Sequence, residues 1–319
     1  MPGAIPGRSR PVRGRRRPVE RTPVHPEIQA LQRAMEQRGY VADEAIATAV
    51  YLAREMRKPL LVEGEAGGGK TELAKVLAGL LDTELIRLQC YEGLDVNTAL
   101  YEWNYPRQML RARLAEHDGG DASTIEALIF SREYLLERPL LRAITRPGGP
   151  AVLLIDEIDR ADEGFEAFLL EILSDFQVTI PELGTIRAEH VPYVILTSNR
   201  SREIGDALRR RCLYLFVPHP ALEKEVRILR LKVPGASERL THEIARFMQA
   251  IRRRRLSKAP GIAEAIDWAT ALVTLNRSQL DADAVAETLG CVLKDRHDVE
   301  DLDRPALESL VAEARGVEV

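Results

Sequence analysis

Leu60-Leu61-Val62-Glu63-Gly64-Glu65-Ala66-Gly67-Gly68-Gly69-Lys70-Thr71 is the stretch that decides the fold. It reads as an apolar strand, then G-x-x-x-x-G-K-T, then the start of a helix. The glycines let backbone N–H groups turn inward around phosphate oxygens. Gly64, Glu65, Ala66, Gly67, Gly68 and Gly69 form that loop. Lys70 adds a point charge for the β- and γ-phosphates, and Thr71 offers a hydroxyl to Mg²⁺. Glu72 follows in the first helical turn, whose positive end points at the same phosphates. Lys58-Pro59-Leu60-Leu61-Val62 has the apolar character of a buried parallel strand, and Leu73, Val76, Leu77 and Leu80 recur at helical spacing. The expectation is a nucleoside triphosphate site.

The chain has 319 residues, 45% apolar and 29% charged, which suits a soluble globular protein large enough for two domains. No apolar run reaches the length of a membrane span, and no apolar h-region follows the basic start. Cys90, Cys212 and Cys291 are far apart and lack metal-ligand spacing, so they read as reduced, packed thiols of a cytoplasmic protein. Residues 1–25 are rich in Pro, Gly and Arg and read as a disordered tail. Seven arginines against Glu20 give residues 1–21 a net +6, which leaves about −10 for the rest of a chain whose total is −4. The tail is either an arm for nucleic acid or an acidic partner, or a solvated extension. An acidic body is a poor match for a protein that tracks along phosphate backbones, so nucleic acid is not the expected partner.

Apolar periodicity predicts helix over roughly His25 to Arg57. Strands are expected at Leu85–Gln89, Ala151–Ile155, Tyr193–Thr197 and Leu213–Val217, besides the one before the loop. Phe176–Ile180, a Pro-Glu-Leu-Gly turn and Thr185–Arg187 read as a β-hairpin. Residues 91–150 hold a polar-aromatic segment (Tyr91, Tyr101, Trp103, Tyr105), a turn at 118–121 and an expected helix over Thr124–Glu137. After Pro218-His219-Pro220 the pattern is helical to the end. These alternations predict an α/β core over 26–217, a mostly parallel sheet between helices, and a smaller all-helical unit over 218–319.

The strand Ala151–Ile155 runs into Asp156-Glu157, at the sheet end where phosphates bind. Asp156 suits the Mg²⁺ shell with Thr71, and Glu157 suits orienting water for attack on the γ-phosphate. Asn199, after the next strand, is placed to reach the same water or phosphate; alone, an Asn there is a turn residue. Arg209-Arg210-Arg211 is either a solvated face or a source of an arginine that stabilises the transferring phosphoryl group across a subunit boundary.

This ordered set resembles the AAA+ ATPase superfamily over nearly all of residues 26–275. Gly64–Thr71 looks like Walker A, Val152–Glu157 like Walker B, Asn199 like sensor 1, and Arg211, with Arg210 second, like the arginine finger. Asp156-Glu157-Ile158-Asp159-Arg160-Ala161, the Phe168–Leu173 helix and the hairpin at 177–188 resemble the MoxR branch. Leu88–Gly93, Asp206–Cys212 and Lys258–Glu264 resemble CoxD-like proteins, accessory ATPases of carbon monoxide dehydrogenase maturation. One departure stands out. Ala263 occupies the place where many lids carry a sensor 2 arginine, and Lys258 is the nearest base; Arg252 to Arg255 read as a polar helix face.

The resemblance implies a P-loop AAA+ core with a five-stranded parallel sheet and a helical lid, binding ATP and Mg²⁺ in a ring, a hexamer in that branch. It implies a protein client, a von Willebrand factor A-domain partner and a role in metalloenzyme maturation, with the hairpin passing motion to the client. The segment Tyr91–Tyr105 either contacts the client or packs under the insert. The alternatives are a nucleic-acid motor or loader and a nucleotide-gated scaffold.

Overall fold

A computed structural model describes residues 25–117 and 121–316. Residues 1–24 of the tail read over 1–25, and 118–120 of the turn read at 118–121, lie outside the described residues.

The chain opens with helices α1 (Pro26–Gln37) and α2 (Glu44–Met56), then β1 (Leu60–Gly64), α3 (Lys70–Leu80) and β2 (Leu85–Gln89). An insert follows: α4 (Val96–Ala99), β3 (Tyr101–Trp103), α5 (Tyr105–His117), α6 (Ala122–Ile129), β4 (Leu135–Glu137) and α7 (Pro139–Thr145). Next come β5 (Val152–Asp156), α8 (Glu163–Asp175), the hairpin β6 (Gln177–Ile180) and β7 (Gly184–Arg187), β8 (Tyr193–Ser198), α9 (Asp206–Arg211) and β9 (Leu213–Val217). The remainder is helical: α10 (Leu222–Lys232), α11 (Glu238–Arg252), α12 (Ile262–Thr274), α13 (Ala282–Val292), α14 (Arg296–Glu300) and α15 (Arg304–Arg315).

Five strands form one parallel sheet in the order β2-β5-β8-β1-β9. Alternation sorts their side chains between two cores. Leu60, Val62, Leu154 and Ile195 meet α1, α2 and α3 on one face. Leu61, Leu153, Ile155 and Leu196 meet α7 and α8 on the other. Both faces are covered, so the central strands β5 and β8 read as largely apolar runs. The helical C-terminal region has its own core, centred on Phe247 and Trp268, whose rings lie 4.9 Å apart.

Two regions differ from their expected form. The helix read over His25 to Arg57 is two helices, because Gly39 takes φ +83° and Asp43 restarts the chain by accepting from the Ile46 N–H at 2.9 Å. Thr124–Glu137 is not one helix either. α6 ends at Ile129, and β4 pairs antiparallel with β3, Trp103 opposite Leu135. That pairing buries Trp103 edge-on to Phe130, 5.4 Å between centroids, and overrides local helix preference. Within the aromatic segment Trp103 is buried and Tyr101 packs on the core, while Tyr91 and Tyr105 stay exposed.

Candidate functional site

The strands of a parallel sheet end at one edge, and a cavity of about 540 Å³ lies there. Ala66 to Thr71 form its floor, with Glu72, Asp156, Glu157 and Asn199 around it. Gly64 and Glu65 stand beneath rather than on the lining, and Arg210 and Arg211 lie outside it. Thus most of the expected residues converge, from segments far apart in the chain.

Gly64 can only be glycine. A Cβ there would sit 2.2 Å from the Val217 carbonyl oxygen on β9. Gly69 takes φ +81° at the start of α3, the left-handed turn that carries the loop into the helix. Lys70 is buried, and its ammonium donates to the carbonyls of Gly64 at 2.8 Å and Glu65 at 2.7 Å. Burial lowers its pKa, while Asp159, Glu65, Asp156 and Glu157 pull it back up.

Asp156 ends β5 as a buried carboxylate with three partners. Thr71 Oγ1 lies 3.1 Å from its Oδ1, Thr197 donates to the same oxygen at 2.5 Å, and Arg87 of β2 donates to Oδ2 at 3.0 and 2.5 Å. Arg87 had no signal of its own in the sequence, since its side chain meets Asp156 only through strand pairing. Glu157 follows at φ +57°, a left-handed conformation uncommon outside glycine. Thr197 Oγ1 accepts its N–H at 2.9 Å, and its carboxylate pairs with Arg160 at 3.0 Å.

Asp159 does not cap a helix; Asp162 does, accepting from the Phe165 N–H at 2.8 Å. Asp159 instead accepts from the N–H groups of Asn199 and Ser201, at 3.2 and 2.9 Å, and so fixes the loop that carries Asn199. Burial opposes its charge, but the Ser201 hydroxyl, donating at 2.6 Å, and then these N–H groups win and hold its carboxyl below the ordinary range.

The far end of the cavity is apolar. Tyr40 and Val41 face it from the break between α1 and α2, and Ile228, Ile262, Ala263 and Ile266 from the helical region. Ala263 donates its N–H to the Gly67 carbonyl at 3.2 Å, so α12 rests on the phosphate loop through backbone. Lys258 is not among the lining residues; Lys75, Lys224 and Lys232 are. Lys232 pairs with Glu72 at 3.1 Å and Lys224 with Asp43 at 2.9 Å, both linking α10 to the core. Arg252 is not on a polar face. Only 7% of its side chain is exposed, and it makes a two-pronged pair at 2.7 and 2.8 Å with fully buried Glu225. Burial pushes the Cys90 and Cys212 thiols up to about 12, which suits packed sulfur rather than reactive thiolate.

A phosphate loop beside a strand ending in two acids, in a five-stranded parallel sheet with a helical region over the cavity, defines a P-loop ATPase of AAA+ fold. Residues 59–212 match the family model described as AAA domain (dynein-related subfamily). It is similar to the gas vesicle ATPase GvpN1 of Halobacterium salinarum, 24% identical over 269 residues, 81% of this chain and 74% of that one. It is similar also to the gas vesicle ATPase GvpN of Haloferax mediterranei, 26% identical over 296 residues, 88% of this chain and 82% of that one. Chaperone protein ClpB 2 of Parasynechococcus marenigrum is 31% identical over 165 residues, 49% of this chain and 16% of that one. Among solved structures, the Thermotoga maritima RuvB Holliday junction branch migration motor aligns at 16% identity and TM-score 0.45, over 90% of this chain and 82% of its own. No helix among the described residues is long and apolar enough to cross a membrane.

Proposed function

We propose that this ATPase is a ring-forming, cytoplasmic chaperone of the MoxR type, acting with Mg²⁺ and remodelling a protein client in metalloenzyme maturation, carbon monoxide dehydrogenase being the model case. The observation that carries the catalytic part is the convergence of Lys70, Thr71, Asp156, Glu157 and Asn199 on one cavity.

Ala66 to Thr71, with Glu72, bind the phosphates, and Lys70 turns from the Gly64 and Glu65 carbonyls toward their charge. Thr71 Oγ1 and Asp156 Oδ1 are adjacent hard oxygens, the donor type Mg²⁺ takes. Thr71 and Asp156 would hold the ion, which would supply positive charge against the β- and γ-phosphates. Glu157 releases Arg160 and accepts a proton from the attacking water, which Asn199 holds in line. Arg211, with Arg210 beside it, acts on the site of the next protomer. Both are exposed, and Arg210 pairs with Asp206 at 3.9 Å.

The hairpin β6–β7 supports coupling to a client. Val178 and Ile180 pack into the core while β7 is largely solvent-facing, so the motion of α8 reaches the surface through it. A von Willebrand factor A-domain protein is the expected partner. The two archaeal relatives favour a second cargo for the same chemistry, a gas vesicle protein.

Phosphate release by wild type and Glu157→Gln tests the catalytic assignment, and equal rates defeat it. Mass by light scattering with ATP reads the ring. Co-expression of Glu157→Gln with dehydrogenase subunits or with gas vesicle proteins decides the cargo. Stimulation by DNA that falls steeply with salt would instead favour a nucleic-acid motor.

A further inference from the structure

Three buried carboxylates hold the segment from Asn199 to Arg211, and none of them lines the cavity. Asp159 takes the N–H groups of Asn199 and Ser201. Glu166, on α8, takes the Gly205 N–H at 2.8 Å, just ahead of α9, and pairs with Arg202. Glu63 takes the Tyr214 hydroxyl at 2.9 Å and lies 3.7 Å from the Arg209 guanidinium. That guanidinium also sits 5.7 Å over the Tyr214 ring.

Glu63 has an unusual address. It is the last residue before the phosphate loop, and it is the buried acid facing the helix that carries Arg210 and Arg211; the other acid near Arg209, Glu203 at 3.8 Å, is exposed. A helix as short as α9 has little stability of its own. Leu208 is its one buried side chain, so its rotation is poorly fixed by packing alone. A turn about Leu208 would carry Arg211 several ångströms, well beyond the tolerance of a phosphoryl-transfer site. Glu63 is buried and the Arg209 side chain is 35% exposed, so water screens their attraction only in part.

We infer that Glu63 is a positioning residue: through Arg209 and Tyr214 it fixes α9 and so aims Arg210 and Arg211 at the nucleotide of the adjoining protomer. This rests on the trans-acting arginine proposed above. It makes one carboxylate the tie between a protomer's own phosphate loop and the group it lends to its neighbour.

Glu63→Gln tests it, because glutamine keeps an acceptor for Tyr214 and loses only the charge facing Arg209. The expected kcat falls about 10- to 100-fold, a fraction of what outright loss of such an arginine costs. KM and the affinity for a fluorescent ADP analogue stay within about twofold, because uniform nucleotide binding is untouched. Mixing with Glu157→Gln protomers, dead in their own sites but with intact arginines, raises turnover per Glu63→Gln protomer. If Glu63→Gln fails to fold, Arg209→Met reads the same link from its exposed end. A parallel fall in nucleotide affinity overturns the inference. So does absence of rescue while Arg211→Ala mixed with Glu157→Gln is rescued. If Arg211→Ala is not rescued either, the trans arginine itself is refuted and this inference goes with it.

Discussion

Gly261→Ala tests whether the helical region closes the cavity by resting on the phosphate loop. Gly261 has φ −88° and ψ −171°, extended backbone that any residue adopts, so alanine brings no local strain. The added Cβ, however, would lie 2.6 Å from the Ala66 carbonyl oxygen and 3.0 Å from the carbonyl carbon and Cα of Gly67. All three are backbone atoms of the loop, so no side chain can swing aside. Ordinary contact begins near 3.4 Å, so loop and α12 must part by about 0.8 Å. The Ala263 N–H to Gly67 carbonyl bond, already 3.2 Å, is then lost. Overpacking of this kind costs about 1–3 kcal/mol, which corresponds to a loss of roughly 5- to 150-fold in nucleotide affinity. The cost falls on the closed arrangement and not on the fold, because the core around Trp268 and Phe247 is separate from this contact. Titration with a fluorescent ADP analogue should therefore weaken, while Tm without nucleotide barely moves. Gly290→Ala is the control: nothing lies within 4 Å of its Cβ, and a helical glycine replaced by alanine gains up to about 1 kcal/mol. Wild-type affinity in Gly261→Ala would refute the proposed closure; an equal loss of Tm would show that the substitution damages the fold instead.

Arg252→Met leaves fully buried Glu225 unpaired and should cost about 3–5 kcal/mol, read as a fall in Tm. Burial already raises the Glu225 pKa against the pull of Arg252, so the folded variant binds its proton more readily than the unfolded chain; its stability deficit should shrink as pH falls. His219 joins β9 to α10, and burial and then Arg252 lower its pKa from the ordinary value of about 6.5. Its unfolded form therefore binds a proton first, so its contribution to stability declines as pH drops through about 6.5 and levels off below the folded value. His219→Gln should flatten that part of a Tm-against-pH curve; an unchanged slope would exclude His219 as its cause. Lys70→Met should fold normally, since the ammonium serves only two loop carbonyls, yet lose nucleotide binding by titration.

What could be read along the chain was what the chain writes locally. The phosphate loop, the apolar strand ending in Asp156 and Glu157, and the hairpin at 177–187 each lie within a dozen residues. Their chemistry follows from loop geometry and alternation. What escaped was written across the sheet. Arg87 meets Asp156 because β2 pairs with β5, Gln89 beside Asp156. Glu63 and Arg209 meet because β1 pairs with β9, Glu63 beside Phe216. A faint signal existed for Glu63: on a strand otherwise apolar, an acid stands where Leu61 predicts an inward face. Arg252 carried another, four residues after Met248 and seven after Ala245, both buried. Reading four arginines as one polar face ignored that period. The insert misread at 124–137 fails for the opposite reason. Its helix-like composition is overruled by a strand pairing that shelters Trp103.

Sheet order rather than chain order brings the phosphate loop beside both the segment proposed to contact its own nucleotide and the one proposed to act on the next protomer's. β1, which leads into the phosphate loop, lies between β8 and β9. β8 leads to Asn199, and β9 follows the helix bearing Arg209, Arg210 and Arg211. Adjacent strands are about 4.8 Å apart, so a shift of the loop reaches both neighbours within one spacing. On the β8 side it meets Asn199, held by Asp159; on the β9 side it meets Arg209, held by Glu63. Were β9 to pair elsewhere in the sheet, Glu63 would have no basic partner, and a buried acid in β1 would only destabilise. The buried acid at that point of the strand, held by the Tyr214 hydroxyl and facing Arg209, accords with the proposal that Glu63 keeps α9 in register with the loop.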